Sequence, residues 1–231
     1  MKRTTQLIVA LDVNTLKEAK RLVDLLYPAA KIFKIGSQLF TACGPEVVKM
    51  INNKGARVFL DLKYHDIPNT VSNAVSRAVE LGVFMLDVHI QGAEKMLQAA
   101  AKSASDKAQE LNIKKPLIIG ITILTSVNNN QAIEANVLEA AILAKNSGLD
   151  GVVCSVYEAP RVRKELGQDF LIITPGIRPK GHTSDDQARI ATAKDAVEAG
   201  VDFIVVGRPI LENNNPLAVV KEIVNQISPI L

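Results

Sequence analysis

Eight short runs rich in valine and isoleucine alternate with longer amphipathic segments along this chain, and that alternation restricts its fold more than any other feature. The runs are LIVALDV (7–13), KIFKIG (31–36), RVFLDLK (57–63), FMLDVHI (84–90), PLIIGITIL (116–124), GVVCSV (151–156), FLIITPGI (170–177) and FIVVGR (203–208). Their near-continuous apolar character suits parallel strands covered on both faces. Helices are expected between them. Asn14 is placed to cap a helix over residues 15–26, Pro68 to open one that Gly82 stops, and Gly148 and Gly200 to close two more. Eight strand–helix units with glycine stops predict an α/β fold, a single (β/α)8 TIM barrel; a doubly wound open sheet is the alternative. No linker or low-complexity stretch divides residues 1–231, so one domain is expected.

Charge and composition narrow the function classes. The formal net charge is +3 and the 27 Lys and Arg are scattered, which gives no nucleic-acid surface but leaves room for a basic pocket holding a small anion. No apolar run approaches a membrane span. The opening MKRTTQLIVALDV has a basic start, but its apolar part is short and reaches Asp12 without a small-residue cleavage site, so no secretory signal is expected. Cys43 and Cys154 are far apart and form no metal or redox motif. Both are expected to be packed thiols in a reducing cytoplasm.

A barrel directs attention to the C-terminal ends of its strands, where active sites of this architecture lie. Asp12, Lys34, Asp61 with Lys63, His89, Thr125 with Ser126, Arg178 and Arg208 all fall there. The densest stretch is VFLDLKYHDIPNT (58–70), in which an apolar run meets Asp61, Lys63 and Asp66. Period-two geometry puts Asp61 and Lys63 on one side of a strand. Burying such charges is costly unless opposite signs alternate and hydrogen-bond. The set could simply close the barrel mouth, or it could do chemistry. An ammonium among carboxylates can donate a proton to developing negative charge, and fixed ammonium groups stabilise a carbanion. Asp12, Asp61 and Asp66 could alternatively supply oxygens to Mg²⁺, but Lys34 and Lys63 among them oppose a cation. By alternation His65 should point away from this set, which gives it a structural role. His65, His89 and His182 have no metal-ligand spacing.

The C-terminal part reads as an anion site. TPGIRPKGHTSDDQ (174–187) and VVGRPI (205–210) follow the seventh and eighth runs, where barrels often bind phosphate. Gly207 allows close approach of backbone N–H groups, and Arg178 and Arg208 can contact phosphate oxygens. Ser184-x-x-Gln187 also fits a helix capping box, a purely structural reading of Gln187.

Taken in order, ALD, FKIG, FLDLKYHDIPNT, ITILTS, ITPGIR, DDQ and VVGRPI resemble the bacterial orotidine 5′-phosphate decarboxylase family, from Leu7 to about Ile210. The DLKYHDIPNT block is the most specific of these. The resemblance implies decarboxylation of orotidine 5′-monophosphate to uridine 5′-monophosphate, the last step of de novo pyrimidine synthesis, with no metal and no organic cofactor. It implies Lys63 as proton donor to C6 of the pyrimidine, Asp61 and the partner subunit's Asp66 around C6 with one acidic group facing the departing carboxylate, and Lys34 completing an alternating network. Asp12 and Lys34 would also meet the ribose. Asp66, with Ile67 and residues up to Thr70, would reach the partner's site across a homodimer interface. Thr125 matches a pyrimidine contact, and Arg178, Gln187, Gly207 and Arg208 match the substrate-loop and phosphate positions.

Two other readings share parts of this pattern. Hexulose-phosphate synthases and gulonate-phosphate decarboxylases carry a similar Asp-x-Lys-x-x-Asp block and use Mg²⁺. Lys34 and the His-Asp-Ile-Pro-Asn-Thr continuation favour the nucleotide enzyme. A catalytically silent nucleotide-binding barrel is disfavoured because a binder needs no buried proton donor.

Overall fold

The computed structural model describes residues 4–123, 131–178 and 191–228. Among them, eight parallel strands close into a barrel in the order β1 to β8, each paired with its sequence neighbours and β8 returning to β1. The first half runs β1 (Gln6–Ala10), α1 (Leu16–Leu26), β2 (Ile32–Gly36), α2 (Ser37–Cys43), α3 (Glu46–Asn53), β3 (Arg57–Tyr64), α4 (Pro68–Glu80) and β4 (Met85–His89). A 3-10 turn (Ile90–Gly92) leads to α5 (Ala93–Glu110), β5 (Leu117–Ile121), α6 (Gln131–Asn146), β6 (Gly151–Val153) and α7 (Ala159–Leu166). The chain closes with β7 (Leu171–Thr174), α8 (Ala193–Glu198), β8 (Phe203–Val206), α9 (Arg208–Leu211) and α10 (Pro216–Ile227). This is the (β/α)8 barrel expected from the alternation, not the open sheet.

Each strand sends alternate residues to two different cores. Val9, Phe33, Leu60 and Leu86 face outward and pack under the helices. Ile8, Ala10, Ile32, Phe59, Met85, Ile119, Ile173, Phe203 and Val205 fill the lumen. Fully burying a side chain of this size contributes roughly 1.5–3 kcal/mol, so the lumen is a solid plug and not a pore. The same parity, continued two residues up each strand, carries Asp12, Lys34, Asp61 and Asp87 to the top of that plug.

The N-terminal face is closed by local polar pairs. The Arg163 guanidinium donates to Asp202 at 2.6 Å, and Asp202 accepts the Ile172 N–H at 2.8 Å. Arg57 donates to Gln6 at 2.8 Å and lies 4.2 Å from the centre of the Phe84 ring. These contacts lock strand starts together and converge on no common point, unlike the charges at the other end.

Two local features differ from expectation. The cap of α1 is Thr15 and not Asn14: the Thr15 hydroxyl accepts the Glu18 N–H at 3.2 Å. Glu18 reaches back to Asn14 N–H at 3.3 Å, and the Asn14 side chain instead accepts from Gln38 at 2.7 Å. Thr15-x-x-Glu18 is capping-box spacing, which outweighs the intrinsic preference for asparagine one residue earlier. The link between β2 and β3 also holds two short helices, α2 and α3, where the Gly44-Pro45 pair breaks one helix and opens the next.

Candidate active site

β3 breaks its own regularity where its charges lie. Leu60 pairs with Leu86 and Tyr64 with Val88, so four residues of β3 pass while β4 passes two. The extra length is a bulge, and within it Lys63 takes φ +50°, a left-handed conformation that few non-glycine residues adopt. Because the excess is two residues, Lys63 still faces the lumen and Tyr64 still faces the helices. The expectation that Asp61 and Lys63 meet is therefore fulfilled, although the strand between them is not straight.

The charges form a chain across three strands. Lys34 Nζ lies 3.1 Å from Asp61 Oδ2 and 3.3 Å from Asp12 Oδ1, while Lys63 Nζ is hydrogen-bonded to Asp61 Oδ1. The Lys34 and Asp61 side chains are each 12% exposed, Lys63 40% and Asp12 50%, so the chain runs from the buried centre out to the mouth. Burial pushes the Asp61 carboxyl up, but the Lys34 and Lys63 ammonium groups beside it help bring it down to about 2. Burial also works against the charged form of Lys34, yet Asp61 and Asp12 outweigh it and raise its pKa. Both groups are ionised at neutral pH because each supplies the other's counter-charge.

These residues line a cavity of about 240 Å³. Asp12, Lys34, Asp61 and Lys63 line it together with Arg178, Gly207 and Arg208. Ile121, Ile123, Val153 and Ile173 supply an apolar wall. The absence of a side chain at Gly207 is used: a Cβ there would come within 3.3 Å of Asp12 Oδ2 and 3.4 Å of the Ala10 Cβ. Arg178 is buried, and one of its N–H groups donates to the Ile177 carbonyl at 3.1 Å. A single mouth thus brings together an ammonium–carboxylate relay, two arginine side chains and an apolar lining.

Asp66, Ile67 and Thr70 behave differently. They sit at the turn into α4, all exposed, and none lines the cavity of its own chain. Asp66 accepts the Ile67 N–H at 2.6 Å, and Ile67 is 66% exposed. His65 stacks on His89 with ring centres 5.3 Å apart, and burial, His65 and Lys63 lower the His89 pKa. Thr125, Ser126, His182, Ser184 and Gln187 lie outside the described residues. Among the described residues, no group of three or more His, Cys, Asp or Glu side chains is set to hold a metal ion, and no helix is long and apolar enough to cross a membrane.

One member of the site was not anticipated. Asp87, on β4, is fully buried and lines the cavity beneath Asp61 and Lys63. Its Oδ1 accepts the Lys63 backbone N–H at 2.7 Å. The signal was present: Asp87 is a lone carboxylate inside FMLDVHI and shares the lumen parity of Met85.

Comparison with known proteins agrees with this geometry. The family model described as "Orotidine 5'-phosphate decarboxylase / HUMPS family" matches residues 5–223. An orotidine 5′-phosphate decarboxylase of Vibrio parahaemolyticus is 45% identical over 226 residues, covering 94% of this chain and 95% of that protein. One from Saccharophagus degradans is 46% identical over 231 residues, covering 96% and 95%. Among solved structures, the orotidine 5′-phosphate decarboxylase of Lactobacillus acidophilus superposes with a TM-score of 0.85 at 34% identity, covering 97% of this chain and 100% of that one.

Proposed function

The chain belongs to the orotidine 5′-phosphate decarboxylase / HUMPS family, and from that premise we propose that it decarboxylates orotidine 5′-monophosphate to uridine 5′-monophosphate and CO₂, as the last step of de novo pyrimidine synthesis. The observation that carries this reading is the alternating array Asp12–Lys34–Asp61–Lys63 in a partly apolar cavity that Arg178 and Arg208 also line.

In this reading the guanidinium groups and the backbone at Gly207 hold the 5′-phosphate, and Gln187 is a further substrate-binding residue. The pyrimidine lies on the apolar wall, where Thr125 meets its edge, and Asp12 and Lys34 meet the ribose. The substrate carboxylate then faces Asp61. The C6–carboxylate bond breaks, its electron pair remains on C6, and CO₂ departs. Lys63 stabilises that pair electrostatically and delivers an Nζ proton to C6; the neutral amine regains a proton from water. Fixed charges act here without reorganising, because Lys34 and Asp61 already hold each other in place. Ground-state repulsion between Asp61 and the departing carboxylate adds to the drive.

The reaction so drawn needs no metal and no organic cofactor. Asp61 has both oxygens turned to ammonium groups, and Lys34 occupies the space between Asp61 and Asp12 that a cation would take. The same reading takes residues 1–231 as one catalytic domain and places the enzyme in the cytoplasm. It also takes the enzyme as a homodimer, a reading supported by Asp66, Ile67 and Thr70 being exposed and absent from the lining of their own cavity. Across a two-fold axis each subunit would give these residues and receive the same ones.

Turnover of orotidine 5′-monophosphate, followed by loss of its ultraviolet band with and without a chelator, tests the proposal. Turnover unaffected by EDTA is expected. Loss in EDTA that Mg²⁺ restores would move the chain to the metal-dependent members of the family. No turnover by folded protein under either condition would leave a nucleotide binder.

A further inference from the structure

Among the described residues, Asp87 is the one buried acid of the site that the reaction as drawn does not use, and its surroundings are unusual for a carboxylate. It is fully buried on β4. Oδ1 accepts the N–H of Lys63, the residue forced into the left-handed region by the β3 bulge. Among the described residues, no N–H or O–H donor reaches Oδ2. Leu60 pairs with Leu86, so the next residues, Asp61 and Asp87, are neighbours on the lumen side and both line the cavity; the two oxygens of Asp61 already face Lys63 and Lys34. A carboxylate offers acceptors only, and an acceptor turned to another acceptor in a buried place is costly. A carboxylic acid offers one acceptor and one donor, which are the two things its neighbours require.

We propose that Asp87 is a positioning residue that holds a proton: its Oδ2–H donates to Asp61, while its Oδ1 pins the Lys63 backbone N–H and so fixes the bulge that aims the Lys63 ammonium. Burial and the Asp61 charge both push the Asp87 carboxyl well above its usual range, which outweighs the opposing effect of Lys63. The neutral acid thus stiffens the catalytic pair from below without adding a second negative charge next to the carboxylate of the substrate. Its part in the reaction is played through Asp61 and Lys63.

The activity readout of this inference rests on the decarboxylase reading, so the test uses ratios between variants and adds a spectroscopic readout that needs no turnover. Asp87→Asn presents the same pair, a carbonyl acceptor and an N–H donor, in the same shape. It is expected to keep kcat within about threefold, the scale of a near-neutral substitution. Asp87→Leu, or Asp87→Ala if the leucine variant does not fold, removes both contacts. It is expected to lower kcat about 100-fold, the cost of an ångström-scale misplacement of a reacting group. Binding of uridine 5′-monophosphate should stay within about threefold of the parent, because its phosphate contacts are untouched. The infrared difference spectrum of parent minus Asp87→Asn at neutral pH should show the carbonyl band of a protonated carboxylic acid. An asparagine variant as impaired as the leucine one, or a carboxylate band in place of the acid band, would overturn the proposal. So would full activity in the leucine or alanine variant. Failure of the parent itself to turn over orotidine 5′-monophosphate would count against the decarboxylase reading and leave the infrared arm to decide this one.

Discussion

Replacing Lys34 by methionine measures how strongly the buried ion pair depends on its partner. Methionine keeps the length and the apolar stem but removes the charge. Two contacts go, to Asp61 at 3.1 Å and to Asp12 at 3.3 Å. The Asp12 contact is half-exposed and is worth at most about 1 kcal/mol. The Asp61 contact is a pair in which both side chains are 12% exposed, and breaking such a pair by removing one partner costs about 3–5 kcal/mol. Lys63 still serves Asp61, so the lower end applies, about 3 kcal/mol. For a domain of this size that lowers Tm by roughly 6–12 °C. The pH dependence carries a sign. In the parent, Asp61 is held at about 2 against an ordinary 3.8, so its stabilising linkage is complete above the ordinary value and is lost as pH falls towards 2. Without Lys34, burial pushes Asp61 up again. The gap in stability between parent and variant should therefore be full at neutral pH and shrink on acidification, as the variant's Asp61 takes up its proton first. Urea unfolding of Lys34→Met, Asp61→Asn and the double variant at neutral and acid pH checks both statements. A coupling energy below about 0.5 kcal/mol at neutral pH would refute the reasoning, since independent sites already agree to that margin. A gap that does not narrow in acid would refute it equally.

Two further outcomes follow from the proposed function. Arg208→Ala should cost roughly 2–5 kcal/mol of transition-state stabilisation with the phosphorylated substrate, the scale of losing one partner of a desolvated charge pair. The same change should matter little for the dephosphorylated nucleoside; equal damage in steady-state kinetics on both would mean that Arg208 acts through structure. Lys63→Ala and Asp66→Ala homodimers should each be nearly inactive, whereas mixing them under subunit exchange should restore up to about half the activity per heterodimer, because one pocket then has both intact groups. No recovery, with exchange shown by mass spectrometry of labelled subunits, would assign Asp66 to its own pocket.

The barrel was legible because each of its strands is buried on both faces, which writes the strands as apolar runs with little competing periodicity. Asp12, Lys34, Asp61 and Lys63 were legible for the converse reason: a charge inside such a run must be matched by another charge, and the barrel supplies the matching strands. Asp87 was passed over although it interrupts FMLDVHI in the same way. Its principal partner is a backbone N–H exposed by a bulge two residues long, and nothing in the residue types of 60–64 announces a bulge. His89, at the more familiar strand-end position, stands over the neighbouring His65 instead. The cap of α1 was misassigned between two adjacent good capping residues, where the deciding feature was Glu18, three residues beyond Thr15.

The bulge makes the interval from Leu60 to Tyr64 a fixed-length ruler. Facing in a strand is a matter of odd and even, so deleting or inserting one residue here would exchange the two populations. The position of Lys63 would turn under the helices and that of Leu62 would turn into the lumen. Deleting or inserting two would keep the facing but shift the ammonium roughly 6–7 Å along the strand, at about 3.3 Å per residue. Neither error is recoverable by side-chain adjustment, because Asp61 and Asp87 hold the ammonium and the backbone of the same residue from two directions. Length changes in this chain must therefore be absorbed elsewhere, in the connections beyond the strands, while this interval can change only by substitution.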